Sequence, residues 1–382
     1  MGRRRGAASA AAGALLLLLL LVGAAARARD AAVAARVPAM FVFGDSLVDD
    51  GNNDALARAD YYPYGVDFPP LGAATGRFCN GKTVADALCD LLGLQYVPPY
   101  TSTRGLNGTA AAALLGGVNY ASAAGGILDE TGQHLGDRFS LSQQVLNLEA
   151  TLDGAIRPLF GRDQGRYERH LTRSVAVVVV GGNDYLNNYL LTPLGVGYDS
   201  GDRYRPDEYA ALLLDHYARQ ILALHSLGLR KFLLAGVGPL GCTPGLRASA
   251  GTGRQGQCAE QVNQMVGLFN QGLGSLVDQL NADHRPAAAF VYGNTYAAVQ
   301  DMIHNPGEYG FTVVDSGCCG LGPIVTCGLC VPLVAPCGER GRYVFWDAYH
   351  PTQAANLVLA QMAFDGTPEH VYPLNLRQLA EL

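Results

Sequence analysis

Apolar and polar positions along the chain switch repeatedly between a period near two and a period near 3.6. Residues 37–43 form an apolar, β-rich run that stops at Gly44-Asp45-Ser46, which predicts a strand feeding a turn. The densest run is 174–180, where Val175, Val177, Val178, Val179 and Val180 crowd together as in a strand covered on both faces. It ends at Gly181-Gly182-Asn183-Asp184. Residues 117–122, 231–235 and 287–292 are further strand candidates, the first ending in Ala123-Ala124-Gly125-Gly126. Between them lie helical patterns. Residues 83–94 place Val84, Leu88, Leu91 and Leu92 on one face, and 140–152 carry Ser140 or Ser142 as a cap. Residues 205–227 have Pro206 near the first turn and Gly228 at the end, as helix boundaries prefer. Helices are also expected over 257–281 and 296–304, and a last one from 351 onward through 357–363. Strand and helix alternate throughout, which argues a three-layer α/β/α domain with a mostly parallel central sheet. No internal repeat or low-complexity linker divides it, so residues 29–382 read as one domain.

Composition supports a packed core. Of 382 residues, 49% are hydrophobic and 16% charged, which excludes disorder as the default state. The formal net charge of −6 argues against a nucleic-acid partner, which wants a basic face. The N-terminus reads as an export signal over residues 1–28. Arg3, Arg4 and Arg5 precede an apolar stretch over 15–22, and alanines at 24, 26 and 28 offer cleavage sites. That stretch is short of the roughly 20 residues a membrane span needs. A secreted, extracellular protein without a stable membrane span is therefore expected.

The nine cysteines, at 79, 89, 242, 258, 318, 319, 327, 330 and 337, suit an oxidising compartment. Most should pair, and an odd number leaves at least one unpaired. The spacing Cys327-Gly328-Leu329-Cys330 also fits zinc, but no histidines cluster beside it and disulfides are the preferred reading. The Gly/Cys segment 318–337 reads as a loop stapled by bridges. Asn107-Gly108-Thr109 is a glycosylation sequon in a Gly/Thr-rich loop.

Two nucleotide-binding patterns occur and both fail on context. Residues 76–83 satisfy the P-loop pattern, yet the prolines at 63, 69 and 70 leave no strand ahead of it. Residues 236–241 spell the dinucleotide glycine pattern after a strand. However, Pro239 removes a backbone donor, and a Gly/Ala/Ser loop is expected afterwards rather than a helix.

A different set of residues carries chemistry. Ser46 follows the first strand, where α/β proteins place reactive groups. Alone it is equally a turn-forming serine. Trp346-Asp347-Ala348-Tyr349-His350-Pro351 puts a carboxylate three positions ahead of a histidine. By itself that is also a helix-capping Asp beside a surface His. Together, Ser46, Asp347 and His350 stand in one of the chain orders in which the serine–histidine–acid triad recurs. Such a triad needs donors for a developing oxyanion. Asn183 offers a side-chain amide, or is only a turn residue, and Gly125 and Gly126 offer backbone that a ligand can approach closely. No G-x-S-x-G elbow and no H-E-x-x-H occur.

Four blocks together resemble the GDSL esterase/lipase family of the SGNH hydrolase superfamily, in particular its plant secreted branch. They are Phe41-Val42-Phe43-Gly44-Asp45-Ser46-Leu47-Val48-Asp49 with Gly51-Asn52-Asn53, Val118-Asn119-Tyr120-Ala121-Ser122-Ala123-Ala124-Gly125-Gly126-Ile127, Gly181-Gly182-Asn183-Asp184-Tyr185, and Phe345-Trp346-Asp347 with His350-Pro351-Thr352. Residues 76–83 and 238–242 also look like family segments. The resemblance implies the SGNH, flavodoxin-like hydrolase fold and carboxylic ester hydrolysis with no metal or organic cofactor. It implies Ser46 as nucleophile, His350 as general base, Asp347 as its orienting acid, and Ser46, Gly126 and Asn183 as the oxyanion hole, with Gly125 second to Gly126. Lipid esters, acylated sugars and small-molecule esters are the implied substrates. An acyltransferase or polysaccharide O-acetylesterase using the same triad is the alternative, and a wall-associated binding protein with a spent site a further one. Tyr61, Tyr62, Tyr64, Phe68, Tyr185 and Tyr189 could line an acyl groove or belong to the core.

Overall fold

The structure is a computed structural model. It describes residues 37–53, 56–69, 72–190, 201, 203–249, 257–319 and 328–382. The export-signal segment 1–28 and Cys327 lie outside the described residues.

The first strand, β1, spans Met40–Gly44. Helix α1 is Val84–Leu92, opened by a capping box in which Thr83 and Asp86 satisfy each other's backbone N–H groups. Helix α2 is Leu141–Thr151 with Ser140 as its N-cap. Helix α3, Gln164–Arg173, was not expected from the pattern. Only Tyr167 and Leu171 of it are buried, so it has almost no apolar period to read. Then come β2 (Val175–Val179), α4 (Pro206–Ser226), β3 (Lys231–Ala235), α5 (Glu260–His284), β4 (Ala289–Gly293) and α6 (Thr295–His304). The chain closes with β5 (Val313–Gly317), β6 (Tyr343–Phe345), α7 (Gln353–Asp365), β7 (Val371–Tyr372) and α8 (Leu376–Glu381).

The main sheet runs in the order β1-β2-β3-β4-β7; β1 to β4 are parallel and β7 is antiparallel at the edge. A second, two-stranded sheet pairs β5 with β6. Alternate strand residues face opposite helical layers, as a sheet covered on both sides requires. Phe41, Phe43, Ala176, Val178, Phe232, Leu234 and Phe290 pack with α2, α3, α4 and α5. Met40, Val42, Val175, Val177, Leu233 and Val291 pack with α1, α7 and α8. The three-layer, mostly parallel architecture is therefore present.

Three expectations need correction. Residues 117–122 run beside β1 and share hydrogen bonds with it, but only as isolated bridges. The Asn119 side chain reaches Val48 O and Ala121 N here, which competes with a regular ladder. The segment after Cys242 does not stay a loop: Pro244–Ser249 is helical. Helix α7 is not the last, since β7 and α8 follow it. Of the two readings open for Tyr185 and Tyr189, the core one holds: both are buried and pack with Tyr209.

Candidate active site

The exits of β1 and β2, the stretch that follows the bridged segment 117–122 and one C-terminal loop meet at one end of the sheet. The turn after β1 is fixed first. Gly44 lies so close to β2 that a Cβ there would sit 2.2 Å from Val179 O, so only glycine fits. Gln144 of α2 then clamps the Gly44 peptide from both sides, donating to its carbonyl and accepting from its N–H, each at 2.8 Å. Asp45 N–H donates to Val179 O at 3.1 Å, and the Asp45 carboxylate accepts from Leu47 N–H at 3.0 Å. This leaves Ser46 half-buried at the tip. Burial pushes the Asp45 carboxyl up to about 7, against the Leu47 hydrogen bond.

Asp347 and His350 come from the loop between β6 and α7. Trp346 N–H donates to His350 O at 2.7 Å and closes that loop, while the Trp346 ring is fully buried. Asp347 Oδ1 accepts from the backbone N–H groups of Tyr349 and His350, at 2.9 and 2.8 Å. His350 Nδ1 stands 2.9 and 2.8 Å from the two Asp347 oxygens. With Nδ1 donating to the carboxylate, Nε2 is the acceptor, and it lies 2.8 Å from Ser46 Oγ. The sequence separation across that last contact is 304 positions. The Phe78 ring packs against the imidazole with centroids 5.1 Å apart.

One partner of this group was not visible in the sequence. Tyr64, 1% exposed, donates its hydroxyl to Asp347 Oδ2 at 2.6 Å and accepts from Cys330 N–H at 3.1 Å. Burial drives the Asp347 carboxyl up, but the imidazole of His350, the Tyr64 hydroxyl and the Tyr349 N–H outweigh it and hold it below the usual carboxylate range. The Tyr64 loop is tied to the cysteine loop, where Cys319–Cys330 and Cys318–Cys337 form disulfides. Cys330 thus bonds to sulfur, which answers the zinc alternative at that position. A third bridge joins Cys242 to Cys258, and Cys79 and Cys89 are buried free thiols.

The structure brings the anticipated amide donors to the same end. Asn183 is the middle residue of the short helical turn Gly182–Asp184 after β2, and its Nδ2 donates to Gly125 O at 3.0 Å. Its Oδ1 accepts from Asn187 at 2.8 Å, which orients the amide and leaves the second Nδ2 hydrogen unused by any described residue. Gly125 N–H is spent on Ser122 O, whereas among the described residues Gly126 N–H and Ser46 N–H meet no acceptor. Of the two glycines, only Gly126 has its N–H uncommitted among the described residues. The loop after Gly126 is held by the buried carboxylate of Asp184, which accepts from Ile127 N–H, Leu128 N–H and the Thr131 hydroxyl. Burial pushes that carboxyl up to about 6, with these donors opposing. Asp184 stood in the quoted block without a role; its three donors lie more than 50 positions away and left no local signal.

The rejected P-loop match is occupied by structure. Arg77 makes a bidentate ion pair with Asp86 at 2.8 Å through Nε and Nη2, and Thr83 caps α1. The Asn107 sequon is exposed.

A hydroxyl aligned on an imidazole, itself aligned on a buried carboxylate, can act as an activated nucleophile, and three N–H donors beside it can receive a negative oxygen. Comparison with known proteins agrees with that chemistry. The family model described as GDSL-like lipase/acylhydrolase matches residues 40–362. Two GDSL esterase/lipases of Arabidopsis thaliana are 51% and 50% identical to the chain over 353 residues, which is 91% of this chain and 90% and 89% of theirs. GDSL esterase/lipase 7 of the same plant is 43% identical over 348 residues, 90% of this chain and 92% of its own.

Proposed function

The chain belongs to the GDSL-like lipase/acylhydrolase family and is an ester hydrolase, and from that premise we propose that it cleaves carboxylic esters through an acyl-enzyme on Ser46. The observation that carries the reading is the continuous relay from Ser46 Oγ through His350 to Asp347. His350 Nε2 takes the Ser46 proton as Oγ attacks the ester carbonyl. Ser46 N–H, Gly126 N–H and Asn183 Nδ2 receive the oxyanion of the tetrahedral intermediate. His350 returns the proton to the leaving alkoxide, alcohol departs, and water repeats the cycle on the acyl-serine. Asp347 stays ionised and keeps the imidazole in the tautomer that offers Nε2 to serine.

A Ser46→Ala protein should lose on the order of 10⁶ in kcat toward p-nitrophenyl acetate, the scale of dissected triads. A fluorophosphonate probe should label the folded wild type at Ser46 and not the variant. Full turnover by Ser46→Ala would refute the assignment. Export with removal of residues 1–28 and glycosylation of Asn107 belong to the same proposal. The three disulfides among the described residues support an oxidising destination. Among the described residues no helix is long and apolar enough to cross a membrane. N-terminal sequencing of the mature protein and mass mapping of the Asn107 peptide test these points.

A further inference from the structure

Helix α3 carries a feature that catalysis does not use. Between positions 157 and 173 the chain holds five arginines, at 157, 162, 166, 169 and 173, against Asp163 and Glu168, in a protein whose net charge is −6. Within the helix, Arg166, Arg169 and Arg173 follow the spacing i, i+3, i+7. At about 100° per residue this confines them to an arc of roughly 60°. The arc points away from Leu171, which is buried in the core, and all three arginines are exposed. Arg162, also exposed, stands one position ahead of the Asp163 N-cap. Among the described residues, neither Arg162, Arg166 nor Arg169 has a carboxylate within ion-pair distance. Asp163 is engaged with the Arg166 backbone N–H, and Glu168 accepts from Gln164.

The like charges one turn apart repel, and Arg166, in the first turn, meets the positive end of the helix dipole, while Arg173, in the last turn, meets its favourable end. We propose that this arginine face of α3 is a docking surface for an acidic polysaccharide, a linear polymer of sugars bearing carboxylate or sulfate groups. Guanidinium forks pair with such oxyanions in bidentate geometry. The observations favour this partner over two others. None of the exposed large apolar side chains among the described residues falls within 157–173, so nothing is offered for insertion into a lipid surface. The Arg157 and Arg166 guanidinium groups lie over the Tyr167 and Phe160 rings, and Tyr167 is buried, so the face presents no open aromatic platform for nucleobases. The helix ends at Arg173, immediately before the start of β2, so its last turn lies at the end of the sheet remote from Ser46. A chain held there leaves the catalytic end uncovered.

The test compares wild type with Arg162→Gln/Arg166→Gln/Arg169→Gln, all exposed positions outside the catalytic machinery. Binding to immobilised polygalacturonate is measured at pH 6 over a salt series, beside dextran, phosphatidylglycerol vesicles and a single-stranded oligonucleotide. Wild type should bind polygalacturonate but not dextran, with affinity falling as salt rises. The triple variant should bind at least tenfold more weakly at low salt, with the slope of log K against log salt reduced by about 2. Both proteins should hydrolyse p-nitrophenyl acetate equally. The proposal is overturned if wild type shows no salt-dependent binding, if the variant binds as well as wild type, or if vesicles or the oligonucleotide bind more tightly than polygalacturonate.

Discussion

Replacing Tyr64 by Phe removes one oxygen atom from the site and nothing else. The ring keeps its contacts with Tyr61 and Phe78, whose centroids lie 5.3 and 5.8 Å away. Two hydrogen bonds vanish: the 2.6 Å donation to Asp347 Oδ2 and the 3.1 Å acceptance from Cys330 N–H. A hydrogen bond to a charged group is worth about 1.5–3 kcal/mol, and the orphaned N–H adds about 1 kcal/mol or more. Stability should therefore drop by about 2–4 kcal/mol, seen as a thermal midpoint lowered by several degrees. The carboxylate keeps both backbone donors and the imidazole, so catalysis should fall modestly, by about tenfold in kcat/KM for p-nitrophenyl acetate. Asp347→Asn, which misorients the imidazole, should cost about 10⁴. The pH dependence provides an independent readout. A carboxyl held below its unfolded value stabilises the fold above that value, and the contribution is lost as pH falls through the folded one. Without the Tyr64 hydroxyl the Asp347 carboxyl rises toward the ordinary range, so acid unfolding of the variant should begin at higher pH. A Tyr64→Phe enzyme with kcat/KM within twofold of wild type and an unmoved acid midpoint would refute the role given to this hydroxyl.

Other substitutions test the remaining parts. Asn183→Ala should lower kcat by roughly 10²–10³ with little change in KM, as loss of one oxyanion donor does. Gly126→Ala would put a Cβ 2.4 Å from Thr131 Cγ2 and 2.7 Å from Asp184 Oδ1, so the donor loop must move and kcat should fall by about 10² while circular dichroism stays native. Asp45→Asn should reveal the cost of burying that carboxyl. Its folded value of about 7 lies above the unfolded one, so wild type binds the extra proton when folded and loses stability as pH rises from about 4 to 7. The climb from 3.8 to about 7 sets a ceiling of about 4 kcal/mol. Urea midpoints for Asp45→Asn should be flatter across that range and higher than wild type at pH 8; parallel curves would count against it.

What the sequence made legible was whatever repeats locally. The valines of β2, the capped helices α1 and α2, and the order Ser46, Asp347, His350 are written in short windows. What it hid depends on contacts far along the chain or on polar surfaces. Gln144 clamps Gly44 across 100 positions, and Tyr64 reaches Asp347 across 283. Neither residue stands in a pattern that marks it. Helix α3 hid for the opposite reason, because too little of it is buried to set a period. The two residues of β7 are too few to signal a strand. That Gly125 N–H is spent on Ser122 O is likewise a fact that only three-dimensional placement provides.

The hydroxyl and the imidazole lie 304 positions apart in the chain. On the proposed mechanism, a chain still lacking residues 347–350 carries a serine with no base, and it stays silent toward esters until that loop has been made and has folded against the turn after β1. On the same reading, a truncation ahead of Asp347 retains the residues of β1, β2, β3 and β4 and hydrolyses nothing.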